Sequence, residues 1–302
     1  MKFDKRIWKT AVLAIIVTMV FAVFVFRVED WTKGLSTDFV VYGQTTVPGT
    51  GCTCTGTSTS TARIIPQVAV GSFDSNVTKY KTVIEIVNTG TTTATLSGGL
   101  YTQAGLPSTV VLNTNLTAPT TVDHVALAAG TLTLAAGRVI VLTAETAATG
   151  TVNWAKIAPS TGATIAVSAY FEIRDVATNV LYSRVGVAGS HSDMKKFVIP
   201  RLRNTATGTD VGFAIVNTST ATATITATLK DANGGTVAVK AQALTPGQQM
   251  AVFPTSFFAL TNEPAGTNYH SMVFESSTSA IAATALAIEG ASLASFAVER
   301  LE

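Results

Sequence analysis

The side chains best suited to catalysis or metal binding are few in this sequence, and their spacing matches no catalytic or metal-binding pattern. The three histidines are His124, His191 and His270, and none belongs to an H-E-x-x-H or comparable spacing. His191 stands in the run Ser190–Asp193, but a catalytic triad assembles residues in space, and neighbours on one loop cannot adopt its geometry. We interpret this run as a solvated junction, and we expect His124 and His270 to lie in strands.

The acidic residues give no catalytic pattern either. There are 18 of them, mostly isolated, whereas a glycosidase needs two carboxylates facing each other across a cleft. The segment Asp231–Gly235 has a spacing that could suit calcium, but between two predicted strands it is better interpreted as a hairpin turn, where Asn and Gly adopt positive φ angles. No glycine-rich phosphate loop opens a helix. The sequence therefore predicts a protein that is not an enzyme and that binds no cofactor or metal.

The two cysteines, Cys52 and Cys54, lie two positions apart in a stretch rich in Thr and Gly. A disulfide between such close residues would be strained, and a structural zinc site needs four ligands. Free thiols, an intermolecular disulfide and ligation of a soft metal are the alternatives that remain. Of these we favour exposed thiols or an intermolecular disulfide.

The N-terminus predicts attachment to a membrane. Residues 2–9 are basic, and Thr10–Phe26 is apolar without a charge and approaches the length needed to cross a bilayer. The positive-inside rule keeps the basic cluster in the cytoplasm, which makes residues 1–32 a signal-anchor helix of the inner membrane, with the rest in the periplasm or outside the cell. The residues expected at the membrane interfaces are Lys5, Arg6, Trp8, Lys9, Arg27 and Trp31. Cleavage after Ala22 is the alternative, and it would export the protein.

Residues 33–62 are rich in Thr, Ser and Gly and nearly free of charge, which is typical of a linker. They include one short apolar run with strand propensity, formed by Asp38, Phe39, Val40, Val41 and Tyr42. This run is either an edge strand of the domain that follows or a strand that pairs with a neighbouring subunit by β-augmentation.

The remainder of the chain contains a repeat, whose best-matched stretches are Val83–Tyr101 and Phe213–Asp231. Each stretch predicts a buried strand, a turn at Asn-Thr and a second strand of small residues. In the later stretch, threonines alternate strictly with apolar residues from Thr222 to Leu229, which places hydroxyl groups on one face of a sheet and apolar groups on the other. This pattern indicates antiparallel sheet with one solvent-exposed face.

The repeat extends into the flanking segments, since residues 133–144 correspond to 243–256 with a turn glycine in each. Each copy contains about seven short strands separated by turn signals, which is the pattern of a β-sandwich, with an antiparallel barrel as the alternative. The only helical signal is a single turn at Pro254–Leu260. The sequence thus predicts an all-β protein in which two tandem antiparallel β-sandwich domains, residues 63–190 and 191–302, follow a single N-terminal transmembrane helix.

The charge distribution argues against nucleic acid as a partner. The formal net charge is +2, and Lys2, Lys5, Arg6 and Lys9 against Asp4 give the first nine residues +3, so that the remainder sums to 2 − 3 = −1. Only 13% of the residues are charged, which leaves neutral, hydroxyl-rich sheet faces suited to lateral protein contacts or to glycans.

Three segments of the second copy carry a resemblance to a known class of module. They are Ile215–Thr218 (IVNT), Leu244–Gly247 (LTPG) and Ser276–Leu286 (SSTSAIAATAL). With them, the second copy resembles the immunoglobulin-like or fibronectin-type sandwich modules of bacterial cell-surface and exported proteins, and the first copy resembles these modules more loosely. Because the motifs concern turns and packing, the resemblance implies a spacer, adhesive or assembly role without an active site.

We therefore predict a non-catalytic protein of the bacterial envelope or surface that acts in protein–protein assembly, as a subunit of a surface layer, fibre or envelope complex. Its expected partners are the lipid bilayer, through the N-terminal helix, and either further copies of the chain or other envelope proteins. The alternative is a carbohydrate-binding or adhesin module, for which exposed aromatic side chains should cluster on one face. The candidates for such a glycan platform are Trp154, Tyr170, Tyr182 and Tyr269.

Overall fold

The computed structural model describes residues 62–74, 76–146, 148–187, 193–261, 267–289 and 292–301. These residues belong to one compact unit of the chain, Thr57–Glu302. The expected membrane anchor, nearly all of the linker and His191 lie outside the described residues. None of the helices in the described part of the chain is long and apolar enough to cross a membrane.

Most of the described residues lie in strands, and two short helices complete the regular structure. The elements of the first half are β1 (Arg63–Val70), β2 (Thr78–Asn88), β3 (Ala94–Thr102), β4 (Leu112–Thr114), β5 (Thr121–Val122), α1 (His124–Ala128), β6 (Leu132–Leu134), β7 (Val139–Glu145), β8 (Thr151–Pro159), β9 (Ile165–Asp175) and β10 (Leu181–Val187). The elements of the second half are β11 (Lys196–Asn204), β12 (Asp210–Asn217), β13 (Ala223–Lys230), β14 (Thr236–Leu244), β15 (Gln249–Val252), α2 (Pro254–Phe258), β16 (Thr267–Ser276), β17 (Ile281–Glu289), β18 (Ser292–Phe296) and β19 (Glu299–Arg300).

The strands form four antiparallel sheets, two in each half. Sheet I has the order β1-β8-β3-β6, sheet II β10-β9-β2-β7-β4-β5, sheet III β14-β13-β16-β11-β19 and sheet IV β15-β12-β17-β18. The order β1-β8-β3-β6 recurs in sheet III as β11-β16-β13-β14, and the order β10-β9-β2-β7 recurs in sheet IV as β18-β17-β12-β15. The repeat in the sequence is therefore also a repeat of strand order, and the prediction of an all-β protein built from antiparallel sheets is confirmed.

Each half has its own buried cluster of apolar side chains, contributed by both of its sheets. In the first half, Ile65 and Leu100 of sheet I share a cluster with Ile84 and Phe171 of sheet II. In the second half, Phe274 of sheet III packs edge-on against Phe213 of sheet IV, with ring centroids 5.0 Å apart. The arrangement in each half is sandwich-like, because two sheets enclose one layer of apolar side chains.

The Asn-Thr turn connects the two sheets of each half. β2 and β12 lie in sheets II and IV, whereas β3 and β13, which follow the turns, lie in sheets I and III. The chain therefore crosses the core at the turn. The fully buried side chain of Asn88 holds this crossing by donating from Nδ2 to the carbonyl oxygens of Thr92 and Leu134, at 2.7 and 2.8 Å.

The two halves meet at a small buried junction. Trp154 of β8 clusters there with Ile64, Val216 and Ala282, and its indole nitrogen donates to the carbonyl oxygen of Gly247 at 2.9 Å. The strands of sheet IV that enter the junction are buried on both faces, as the unbroken burial of Ile281–Ala287 shows.

The prediction that His124 lies in a strand is wrong, because this residue begins helix α1. The carboxylate of Asp123 caps that helix by accepting a hydrogen bond of 2.8 Å from the backbone nitrogen of Ala126. The prediction for His270 is confirmed, since it lies in β16, and the helical turn at Pro254 is confirmed as α2.

Candidate interaction surface

The outward side of sheet III carries the threonine row that the sequence pattern predicts. Ala223, Ile225, Ala227 and Leu229 are fully buried in the core of the second half. The intervening threonines of β13 point to the opposite side of the sheet and reach solvent. The period-two interpretation of this strand is confirmed.

The neighbouring strand β14 extends this row with small apolar side chains. Val239, Ala241 and Ala243 stand opposite Thr228, Thr226 and Thr224 in the antiparallel register. All three are exposed, and 59% of the surface of Val239 is accessible. The outward side of β14 therefore places small apolar groups beside the threonine hydroxyl groups of β13.

The same face continues across the sheet. On β16, Met272 and Phe274 point into the core, so that Val273 and Tyr269 point outward, and Tyr269 is 66% exposed. Glu275 also points outward, directly opposite Thr226, and pairs with Lys196 across the sheet, with Nζ and Oε2 3.9 Å apart. We call this surface the threonine face and define it by Thr224, Thr226, Thr228, Val239, Ala241, Ala243, Val273 and Tyr269.

β14 is also the end strand of its sheet. It pairs with β13 on one side, and no described strand pairs with it on the other. At nine residues it is much longer than β6, the three-residue strand at the equivalent position of the first half. A long edge strand presents a row of backbone donors and acceptors to any chain that approaches.

The single lysine of β14 is directed toward helix α2 and does not project outward from the edge. Lys240, the only charged residue of β14, bends toward helix α2, where its Nζ donates to the carbonyl oxygen of Phe257 at 2.6 Å. The same ammonium group lies 4.8 Å from the centre of the Phe257 ring. The lysine therefore stabilises the packing of α2, and it lies on the core side of the strand rather than on the threonine face.

A second cluster of polar groups lies on sheet II, where three cations surround one buried carboxylate. Glu172 accepts hydrogen bonds from Arg174 and Arg184, and Lys81 lies 4.0 Å away. Burial alone would raise the pKa of Glu172, but the hydrogen bonds and charges of the two arginines outweigh it and lower the pKa below its ordinary value. Because the cations already have a buried partner, this cluster is structural.

A buried ion pair fastens one end of the second half. Arg201 is 1% exposed, and its guanidinium group binds the Asp210 carboxylate through Nε and Nη2, each at 2.8 Å. Thr255 donates to the same carboxylate at 3.1 Å. The pair joins β11 of sheet III to β12 of sheet IV and to α2, which is a stabilising role. Neither residue stands in a sequence motif, so the pair could not be predicted.

The four aromatic candidates for a glycan platform do not form one surface. Trp154 is buried at the junction between the halves. Tyr170 and Tyr182 lie in the first half, where the ring of Tyr170 contacts Arg184 and the hydroxyl group of Tyr182 donates to Asp175, lowering the pKa of that carboxyl to about 2. Tyr269 alone belongs to the threonine face.

The turn considered for calcium uses its carboxylate internally. Asp231 accepts from the backbone nitrogens of Asn233 and Gly235 at 2.9 and 2.8 Å, and Gly234 has φ of 83°. The hairpin interpretation is therefore confirmed. Within the described ranges, no group of three or more His, Cys, Asp or Glu side chains is placed to hold a metal ion.

Several predicted sites fall outside the described residues. These are the thiols of Cys52 and Cys54, the apolar run Asp38–Tyr42, and the interface residues Lys5, Arg6, Trp8, Lys9, Arg27 and Trp31. Comparisons of the chain with protein-family models, with curated protein sequences and with solved structures find no match. The function is therefore inferred from the threonine face and the β14 edge.

Proposed function

We propose that this protein is a non-catalytic assembly subunit of the bacterial envelope, held at the membrane by residues 1–32. In this proposal the two halves are tandem immunoglobulin-like β-sandwich domains that project from the membrane into the periplasm or beyond. The threonine face and the β14 edge form the contact through which subunits associate into a layer, fibre or envelope complex.

One observation carries the proposal: a nine-residue edge strand with exposed valine and alanine side chains continues an uncharged row of threonines. An open edge presents unpaired backbone donors and acceptors that can pair with another chain. The portion of β14 beyond its bulge, with valine and alanine side chains on its outer face, is suited to a regular intermolecular contact.

The charge pattern supports the same proposal. Each of the four cations in these ion pairs of sheet II, Lys79, Lys81, Arg174 and Arg184, already has a carboxylate partner, Glu145 or Glu172. The threonine face offers hydroxyl groups and small apolar groups at the spacing of a sheet, which suits packing against a similar surface.

The test uses the full chain in its membrane. The oligomeric state of the wild type, extracted in mild detergent, is compared with that of Val239→Lys by mass photometry, and native membranes are examined by electron microscopy. Val125→Lys is the matched control, because Val125 is also exposed, at 69%, but lies on α1 in the first half. We expect ordered oligomers for wild type and control and a smaller species for Val239→Lys. A wild-type chain that stays monomeric at high concentration would contradict the proposal.

The alternative function, carbohydrate binding, is favoured by one observation: Tyr269 is exposed on the same face as the threonine hydroxyl groups. A glycan array probed with the wild-type protein and with Tyr269→Ala distinguishes the two functions. Binding that depends on Tyr269 would favour the alternative, and an array without signal would remove it.

A further inference from the structure

We infer that β14 pairs antiparallel with β14 of a second copy of this chain, with Ala241 on the two-fold axis. The inference rests on the proposed function and specifies its contact. It follows from three properties of β14: the direction of its backbone groups, the extent of its regular portion and the position of its lysine.

The direction of the backbone groups follows from β13. Thr224 donates from its backbone nitrogen to Ser277 Oγ at 2.9 Å and accepts at its carbonyl oxygen from the backbone nitrogen of Ser277 at 3.0 Å. Both groups of Thr224 therefore point toward β16 and away from β14. Because antiparallel strands alternate between bonded and non-bonded pairs, Ala243, which stands opposite Thr224, does not bond to β13.

The same alternation applies along the strand. Ala243, Ala241 and Val239 turn their backbone N–H and C=O groups toward the open edge, whereas Gln242, Lys240 and Ala238 bond to β13. The three outward residues offer donors and acceptors in the pattern that an antiparallel partner strand requires.

The regular portion of β14 defines the register. The pairing with β13 shifts between Leu229 and Lys230, which places a bulge at Val237. The regular portion is therefore residues 238–244, and its central residue is Ala241. An antiparallel partner that covers the whole regular portion sets Ala241 opposite its own copy and Val239 opposite Ala243 of the other copy.

The position of the lysine disfavours one of the two neighbouring registers, the one centred on residue 240. With the axis at Lys240, two lysines would stand directly opposite each other, which is destabilising. With the axis at Ala241, Lys240 stands opposite Gln242, which is neutral. The outward face then brings only Val and Ala into cross-strand contact, and the sheet continues through both copies.

This contact is small for a soluble complex, because an interface between two edge strands is well below the area of a standard stable complex. Anchoring both copies in one membrane raises their effective concentration, so a weak contact suffices. The threonine faces of the two copies would lie side by side on the shared sheet.

Site-directed cross-linking in membranes tests the register. In a full chain with Cys52→Ser and Cys54→Ser, Ala241→Cys should form a disulfide with its own copy, because residues directly opposite each other have Cα atoms about 5.5 Å apart. Val239→Cys should link to Ala243→Cys when two differently tagged chains are mixed. Val239→Cys should not link to itself, since the two positions would be offset by four residues, or about 13 Å along the strand.

A backbone test complements the cross-links. Ala241→Pro removes an N–H group that β13 does not use, so we expect it to fold while weakening association about tenfold or more. Val125→Lys should associate like the wild type. If Ala241→Pro unfolds, as judged by circular dichroism, Ala241→Lys replaces it with the same expectation.

The outcomes separate the inference from the proposed function. Oligomers that form without these cross-links would overturn the inference and leave assembly standing. Linkage of Ala241→Cys to Val40→Cys would also overturn it, by assigning the edge to the segment Asp38–Tyr42. A chain that is monomeric in membranes would overturn both.

Discussion

The side-chain nitrogen of Asn217 donates a hydrogen bond of 2.9 Å to the carbonyl oxygen of Leu244, the last residue of β14. Its second proton goes to the carbonyl oxygen of Ala221 at 2.8 Å, and its Oδ1 accepts from the backbone nitrogen of Ser219 at 3.0 Å. Asn88 makes the equivalent bonds to Leu134, Thr92 and Gly90 in the first half. One buried amide in each half therefore ties the end of a strand in one sheet to the other sheet.

Replacing Asn217 by Ala is expected to destabilise the protein by about 1–3 kcal/mol, because the buried carbonyl group of Leu244 loses its donor. Asn88→Ala should cost a similar amount, since its bonds are equivalent. Urea unfolding of the full chain measures both, and Thr89→Ala, an exposed neighbour, serves as the control. Two asparagine variants that unfold like the control would refute the role assigned to this amide.

The same amide rules out one modification. Asn217 stands in an Asn-x-Ser sequence that matches the pattern for N-glycosylation, but its side chain is fully buried and its nitrogen is engaged in both bonds. Attachment of a glycan there would require the crossing between the sheets to open.

A glycine pair tests the junction between the halves. A Cβ atom added to Gly105 would lie 2.8 Å from the carbonyl carbon of Gly247, so that Gly105→Ala should force the two backbones apart. Gly162 has the same φ of +81° with nothing within 4 Å of an added Cβ, so Gly162→Ala reports the cost of the backbone conformation alone, roughly 1 kcal/mol. We expect the melting temperature of Gly105→Ala to fall below that of Gly162→Ala. Equal melting temperatures would mean that the junction is not packed in solution.

Trp154 provides a second test of the junction. Trp154→Phe removes the hydrogen bond to the carbonyl oxygen of Gly247 but keeps most of the packing, so we expect a loss of about 1–3 kcal/mol. Trp154→Ala also empties a buried site and should cost about 3–5 kcal/mol. Differential scanning calorimetry measures both. A Trp154→Phe variant as unstable as Trp154→Ala would assign the effect to the hydrogen bond rather than to packing.

Glu172 is expected to make stability depend on pH. Although burial raises it, the folded-state pKa of Glu172 is lowered overall by Arg174 and Arg184, so folding favours the ionised form. The stabilisation of the folded protein by ionised Glu172 is therefore fully present above the unfolded-state pKa near 4.5. That contribution is lost as the pH falls through the lower folded-state value. Glu172→Gln should therefore lose stability at neutral pH and show a shallower decline below pH 4.5, whereas the exposed Glu289→Gln should follow the wild type. Parallel stability curves for Glu172→Gln and wild type would contradict this.

Local pattern was enough to predict much of the second half. The alternation of threonine with apolar residues identified the buried and exposed sides of β13, and the DANGG segment identified its hairpin with β14. The two sides of β13 and the hairpin turn are both determined by residues close together in the sequence. Period-two alternation and turn residues can therefore predict them.

Features that depend on strand order could not be predicted. The exposure of β14 follows from its place at the end of sheet III, and a sequence pattern does not give that place. The ion pair of Arg201 with Asp210 joins two sheets, and helix α1 is too short to show a helical period. The junction could have been predicted in part. The residues of Ile281–Ala287 are all apolar or small, which indicates a strand buried on both faces. The corresponding strand of the first half, β9, does not show this pattern.

Hydrogen–deuterium exchange of β14 in the membrane-bound protein measures whether subunits associate through this edge. We expect a peptide spanning Thr236–Leu244 to exchange slowly in assembled wild type and faster in dissociated chain, because Val239, Ala241 and Ala243 then lose their partners, while the exchange of helix α1 stays unchanged. Assembled chains whose β14 exchanges as fast as in the dissociated state would contradict the claim that subunits associate through this edge.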